Sequence, residues 1–265
     1  MKTIVHTLGY NVPELIEEAA ESLRHLNGYE GYTHVIADLG YPLGPDRNNW
    51  RQVAKNISIV KYNNLLLNLS TADDLSSEFV AIPNKGVSQN WTTIAQLYDI
   101  DRGDILIGAD PDERPMDEGW VKAMSDVMSA DTSIAICSLM LPELLALEGF
   151  FDNYILGERM LAGHRVWYGK AMCQWALIGI SGSFIKTAGG VPHPEVAPIY
   201  GWIETACDAH MKAYGMNWVM LPDFRVQHIA SSPLAQEWKN YVVTEQAMNE
   251  GQKTFEQWLS ERNEQ

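Results

Sequence analysis

The stretch Asp104-Ile105-Leu106-Ile107-Gly108-Ala109-Asp110-Pro111-Asp112-Glu113-Arg114-Pro115 decides how the chain reads. Ile105-Leu106-Ile107 is short, apolar and rich in β-branching, the pattern of a strand buried on both faces. The small residues Gly108 and Ala109 end it, and two carboxylates follow, Asp110 and Asp112, with Pro111 between them. In extended backbone, residues i and i+2 point to one side. Pro111 restricts its own φ and keeps Asp110 out of the helical region. Both carboxylates therefore project together from the carboxyl end of a strand, where open α/β sheets bind ligands. Such oxygen pairs suit a hard divalent cation that also holds phosphate oxygens. A polar turn that ends a strand has the same composition, so the flanking chain has to decide.

Working outward, Thr3 to Thr7 reads as a first strand. Tyr10-Asn11-Val12-Pro13 leads into a helix whose Leu15, Ile16, Ala19, Ala20, Leu23 and Leu26 share one face. Pro13 and Glu14 suit its first turn, and Gly28 and Gly31 close it. Thr33 to Ala37 reads as a second strand with Asp38 at its end, and Ile57 to Val60 as a third. Residues 62–83 read as a loop-rich insertion with a short helix around Asp73 to Phe79. Helices are expected from Gln89 to Tyr98 and from Asp117 to Met128, and a strand from Ser133 to Met140. One or two helices are expected across Pro142 to Leu161. Arg165 to Tyr168, Trp175 to Ile185, Trp218 to Leu221 and Phe224 to His228 read as extended. Trp202 to Tyr214 reads as a helix ended by Gly215, and Pro233 to Leu259 as a charged helical tail. The strand-helix-strand rhythm implies an α/β fold with a mostly parallel central sheet flanked by helices.

The chain has 265 residues, 46% of them hydrophobic, enough for one large α/β domain with a small appendage. No run of about 18 apolar residues exists, so no membrane span is expected. The N-terminal apolar run is too short for a signal peptide. Cys137, Cys173 and Cys207 are widely spaced and odd in number, as expected of reduced thiols in a cytoplasmic protein. The net charge of −15 and pI near 4.8 disfavour bulk binding to nucleic acid or anionic membranes. A nucleotide is still admissible, because a metal and local donors reverse the field inside a cleft. Two other uses of the acidic stretch fall away. A calcium loop needs oxygen-bearing residues at further alternating positions and a central Gly, and Arg114-Pro115 break that pattern. A phosphatase-type Asp-x-Asp nucleophile motif has Thr or Val where Arg114 stands.

Taken together, the pieces resemble the glycosyltransferases of the GT-A fold, most of all the family 2 type. Thr7-Leu8-Gly9-Tyr10-Asn11 with Pro13-Glu14-Leu15 resembles that family's opening. Asp38 stands where the family has an acid after its second strand. Asn84-Lys85-Gly86-Val87-Ser88 resembles its Asn-x-Gly segment, and Asp110-Pro111-Asp112 its DXD motif. Gly182-Ser183-Phe184-Ile185-Lys186-Thr187 with Gly189-Gly190 resembles the acceptor-side strand and glycine turn. Gly201-Trp202-Ile203-Glu204 resembles the Glu-Asp segment, with one acid of the two, and Val226-Gln227-His228 the close of the domain. The similarity covers roughly residues 3 to 228. It implies a GT-A domain over residues 1–232, with a nucleotide-sugar half (1–115) and an acceptor half (116–232), and a helical extension over 233–265.

The resemblance also implies roles. Leu8, Gly9, Tyr10, Asp38, Lys85 and Asp110 would bind a nucleotide-sugar donor, a UDP-sugar in the first instance. Asp110, Asp112 and His228 would hold Mn²⁺ or Mg²⁺, and neutral imidazole suits Mn²⁺; a histidine capping a strand is the alternative for His228. Glu204, at a helix start, would be the catalytic base or an ordinary first-turn acid. Trp175, Trp202 and His193 would meet a hydroxyl-bearing acceptor, and Arg114 is a further candidate for phosphate. Two other function classes stay open: a nucleotidyltransferase that makes sugar nucleotides, and a non-catalytic nucleotide or glycan-binding module. A nucleotidyltransferase would open with a glycine-rich, basic phosphate loop, which the residues near 10 do not provide. A hydroxymethylated base in phage DNA is a minor acceptor option, disfavoured by the acidity.

Overall fold

The computed structural model describes residues 1–9, 13–26, 32–38, 77–82, 86–193 and 203–229. Strand β1 is Thr3–Gly9, helix α1 is Pro13–Leu26 and β2 is Tyr32–Asp38. The expected stripe of α1, Leu15, Ile16, Ala19, Ala20 and Leu23, is buried. β1 and β2 pair in parallel from Thr3 with Tyr32 to Gly9 with Asp38. The strand expected at 57–60 lies outside the described residues. A third parallel strand, β3 (Ser77–Ala81), pairs with β2 instead. This corrects the loop and short-helix expectation for that segment: Phe79 and Val80 favour extended backbone, and the edge of β2 supplies the ladder.

Helix α2 (Val87–Leu97) buries Trp91, Ile94 and Ala95, and β4 (Ile105–Gly108) follows as expected. Then come the short β5 (Glu113–Pro115), helix α3 (Trp120–Ala130) and β6 (Ile134–Met140). The helical expectation for 142–161 holds only in part. A 3₁₀ turn (Pro142–Ala146) and a one-turn helix α4 (Phe150–Tyr154) give way to β7 (Ile155–Leu161). β7 consists largely of helix formers, yet it is paired in a hairpin with β8 (His164–Gly169). The linking Ala162 and Gly163 have φ of 50° and 84°, the left-handed pair that a two-residue hairpin turn requires.

The extended reading of 175–185 is also corrected. β9 is Ile178–Ser181, and Gly182–Ala188 is helix α5. The Ser181 hydroxyl caps it by accepting from the Phe184 N–H at 3.2 Å, and left-handed Gly189 closes it. Helix α6 (Ile203–Tyr214) precedes β10 (Asn217–His228), a single strand with a register shift between Leu221 and Arg225 rather than two runs. Residues 233–265 lie outside the described part. Among the described residues no helix is long and apolar enough to cross a membrane, and the three cysteines are free.

The strand order is β3-β2-β1-β4-β9-β6-β10-β8-β7, with β5 on β10. β3, β2, β1, β4, β6 and β10 share one direction, and β9 runs against β4 and β6 between them. Both faces are covered. Ile4, Leu8 and Leu106 pack with Trp91, Ile94, Phe184 and Cys207 on one side. Val5, Ile105 and Ile107 pack with Trp120, Val121, Met124 and Val127 on the other. A strand buried on both faces needs the near-continuous apolar run that β4 shows. Trp91 lies against the backbone of Gly108, where a Cβ would come within 1.9 Å of the indole.

Candidate active site

The site is built where β4 ends. The Ala109 N–H still donates to His6 O at 2.9 Å, continuing the ladder with β1. The chain then turns through Asp110, Pro111 and Asp112, closed by Glu113 N–H to Asp110 O at 3.0 Å. It re-enters the structure as β5, antiparallel to the end of β10, with Glu113 opposite His228 and Arg114 opposite Gln227. The Ile229 N–H donates to Asp112 O at 2.8 Å. This pairing sets His228 Nε2 2.9 Å from Asp112 Oδ2. The Asp112 side chain is 3% exposed and that of His228 33%, so the pair sits at a wall with its imidazole toward solvent.

Arg114 braces the same turn. Its guanidinium donates to Pro111 O at 2.6 Å, Glu113 O at 2.9 Å and Leu15 O at 3.4 Å, and pairs with Glu18 on α1. This corrects its reading as a phosphate contact, because both terminal nitrogens are engaged, on three backbone carbonyls and the Glu18 carboxylate. Glu113 is the acid that sequence reasoning passed over. It is 3% exposed, and its Oε2 accepts from the Asp110 N–H at 3.0 Å and the Leu177 N–H at 2.8 Å. Burial, with repulsion from Asp110 and Asp112, pushes its carboxyl well above the usual range against those two bonds. The signal lay in plain view, as the third acid of Asp110-Pro111-Asp112-Glu113. What was missing was the knowledge that its side chain points inward.

These groups open onto a cavity of about 360 Å³, within the size range of small-molecule sites. Asp110, Asp112, Glu113, Glu204, His228 and Trp175 all line it, and so do Cys173 and Gln174. Burial, with Glu204 adding to it, pushes the Cys173 thiol up to about 12, so it stays protonated. Asp110, Asp112 and His228 are of the chemical type that a divalent cation takes as ligands. Among the described residues no group of three or more His, Cys, Asp or Glu side chains is placed to hold a metal ion.

Comparison with solved structures bears on the arrangement. A mannosyltransferase from Pyrobaculum calidifontis, in complex with GDP-Man and Mn²⁺, superposes with a TM-score of 0.55 at 13% identity, over 100% of this chain and 64% of that one. GalNAc-T7, with UDP, GalNAc and Mn²⁺, superposes at 0.53 and 14% identity, over 96% of this chain and 52% of that one. The chain has the GT-A fold. A nucleotidyltransferase, CMP:2-keto-3-deoxy-manno-octonic acid synthetase complexed with CTP, superposes at 0.51 and 10% identity, over 84% of this chain and 90% of that one. The chain thus spans less than two thirds of the length of those two transferases. No protein-family model and no curated protein sequence matches it.

Gly9 and Asp38 face each other across the last register position of β1 and β2. Leu8 is 6% exposed and packs in the core. Tyr10, Lys85 and Trp202 lie outside the described residues. Trp175 lines the cavity and packs on Trp91, ring centroids 5.2 Å apart. His193 follows Pro192, whose carbonyl accepts from Ser88 Oγ at 2.8 Å; it is not among the described residues that line the cavity. Gln174 joins the site without any signal in the sequence.

Proposed function

We propose that this protein is a divalent-metal-dependent glycosyltransferase that moves a sugar from a nucleoside-diphosphate donor to a hydroxyl acceptor. The observation that carries this reading is the contact of Asp112 with His228 in a cavity that Asp110 and Glu204 also line. Asp112 and His228 would hold Mn²⁺ or Mg²⁺, with Asp110 beside them near the donor. Such an ion supplies charge stabilisation for the departing diphosphate. Glu113 and Arg114 keep the turn rigid, which fixes Asp110 and Asp112 relative to the sheet. Glu204, at the start of α6, would take the proton of the acceptor hydroxyl, and Trp175 would offer a face to a sugar. Asp38, Gly9, Leu8, Tyr10 and Lys85 remain the donor-binding proposal from the sequence, and Trp202 and His193 the acceptor-binding one.

The fit to a CTP-complexed synthetase supports a second reading, a nucleotidyltransferase that forms sugar nucleotides. The absence of a glycine-rich basic loop after β1 in the sequence favours the first. One experiment separates them. The protein is incubated with Mn²⁺ and UDP-, GDP- or dTDP-sugars, and in parallel with nucleoside triphosphates plus sugar phosphates. Nucleoside diphosphate release that stops in EDTA supports the transferase. Diphosphate release from a triphosphate supports the second reading and sinks the first.

A further inference from the structure

Gln174 is 5% exposed, and it lines the cavity. Its Nε2 donates to Leu139 O at 2.5 Å, which locks the amide in one orientation. Its Oε1 is buried and meets no hydrogen-bond partner among the described residues. Buried amide oxygens are satisfied in nearly all native structures, so a fixed, unanswered acceptor in a cavity wall implies a donor that arrives with the ligand. The charged side chains of the wall have the same bias, although Trp175 Nε1, in the same wall, is a buried donor that also meets no partner among the described residues. Asp110, Asp112, Glu113 and Glu204 are acceptors, and no Lys or Arg among the described residues lines the cavity. A ligand that answers Gln174 has to bring a hydroxyl donor, and beside these carboxylates, away from any bound cation, a negative charge on it is disfavoured.

We propose that Gln174 is a specificity-determining residue: its Oε1 accepts from a hydroxyl of the transferred sugar, and that sugar is a neutral or amino sugar rather than a uronic or other acidic one. This rests on the nucleotide-sugar reading above. The proposal gives Gln174 a role in choosing the sugar and none in the chemistry, since an amide neither holds nor moves a proton at neutral pH.

The test is equilibrium binding in Mn²⁺ to UDP, UDP-glucose, UDP-glucuronic acid, GDP, GDP-mannose and GDP-mannuronic acid. The parent should bind at least one neutral sugar nucleotide roughly tenfold or more tightly than its acidic counterpart. Gln174→Leu should weaken that neutral sugar nucleotide by roughly tenfold while leaving the bare nucleotide unchanged. A deoxy series of the same sugar nucleotide completes the cycle: one deoxy analogue should bind the parent weakly and lose nothing further on Gln174→Leu. Equal binding of acidic and neutral sugars by the parent, which needs no variant, overturns the proposal. So does a deoxy series whose losses are the same in parent and variant. If no nucleotide binds the parent at all, the nucleotide-sugar reading falls, and this inference falls with it.

Discussion

Asp112 and His228 meet across 116 residues of sequence, Oδ2 to Nε2 at 2.9 Å, because β5 leaves the Asp-Pro-Asp turn and pairs with the last three residues of β10. If the pair holds a cation, His228→Ala should weaken Mn²⁺ binding by roughly tenfold or more, and high Mn²⁺ should restore part of the activity. Asp112→Asn should abolish activity. Calorimetric Mn²⁺ titrations of parent and His228→Ala that superimpose would make His228 a structural cap.

Glu113 crowds a third carboxylate against Asp110 and Asp112. Both of its backbone bonds use Oε2, and a glutamine carbonyl can accept both. Glu113→Gln should therefore stabilise the metal-free protein, raising Tm by about 2–4 °C in EDTA. Glu113→Ala should lower Tm, because the Asp110 and Leu177 N–H groups lose their acceptor. A Gln variant that melts with the Ala variant would show that the charge itself holds the turn.

Glu204 lines the cavity near Cys173. As the proposed base of an inverting transfer it would contribute roughly 10²–10⁴ in rate. Glu204→Gln should lower kcat by roughly that factor, leave nucleotide affinity unchanged, and the parent's product should carry the anomeric configuration opposite to the donor's. NMR of the product decides: retained configuration removes the base role even if the variant is inactive.

His6 is fully buried on β1 beside Trp91, ring centroids 4.3 Å apart. Burial, with His34 adding to it, lowers its pKa from 6.5 to about 3. The unfolded chain then binds a proton below pH 6.5 that the folded chain refuses. Stability is full above pH 6.5 and falls about tenfold in the folding equilibrium per pH unit between 6.5 and 3. His6→Phe should flatten that part of the curve. Denaturant titrations at pH 7, 6 and 5 with equal slopes in both proteins would exclude His6 as the cause.

Gly108 has no room for a methyl group, since Trp91 occupies the space. Gly108→Ala should cost about 1–3 kcal/mol through overpacking, read as a lower urea midpoint at unchanged m-value. Because the Asp-Pro-Asp turn begins two residues on, activity should fall further than stability does. Equal midpoints for parent and variant would mean that the indole shifts freely.

The sequence by itself determined the elements whose cause is local. α1 shows its 3.6-residue stripe, β1, β2 and β4 show apolar runs, and Asp110-Pro111-Asp112 announces a polar turn at a strand end. Those signals come from neighbours in the chain, so a window of a few residues contains them. The tertiary structure alone decided the rest. β7 is extended although its residues favour helix, because β8 offers a ladder. Arg114 faces backbone carbonyls and Glu18 rather than the cavity because β5 turns it toward α1. Glu113 and Gln174 belong to the cavity because their partners, the Leu177 N–H and Leu139 O, lie 64 and 35 residues away. His228 reaches Asp112 through strand register, a contact free energy between distant segments that no local period encodes.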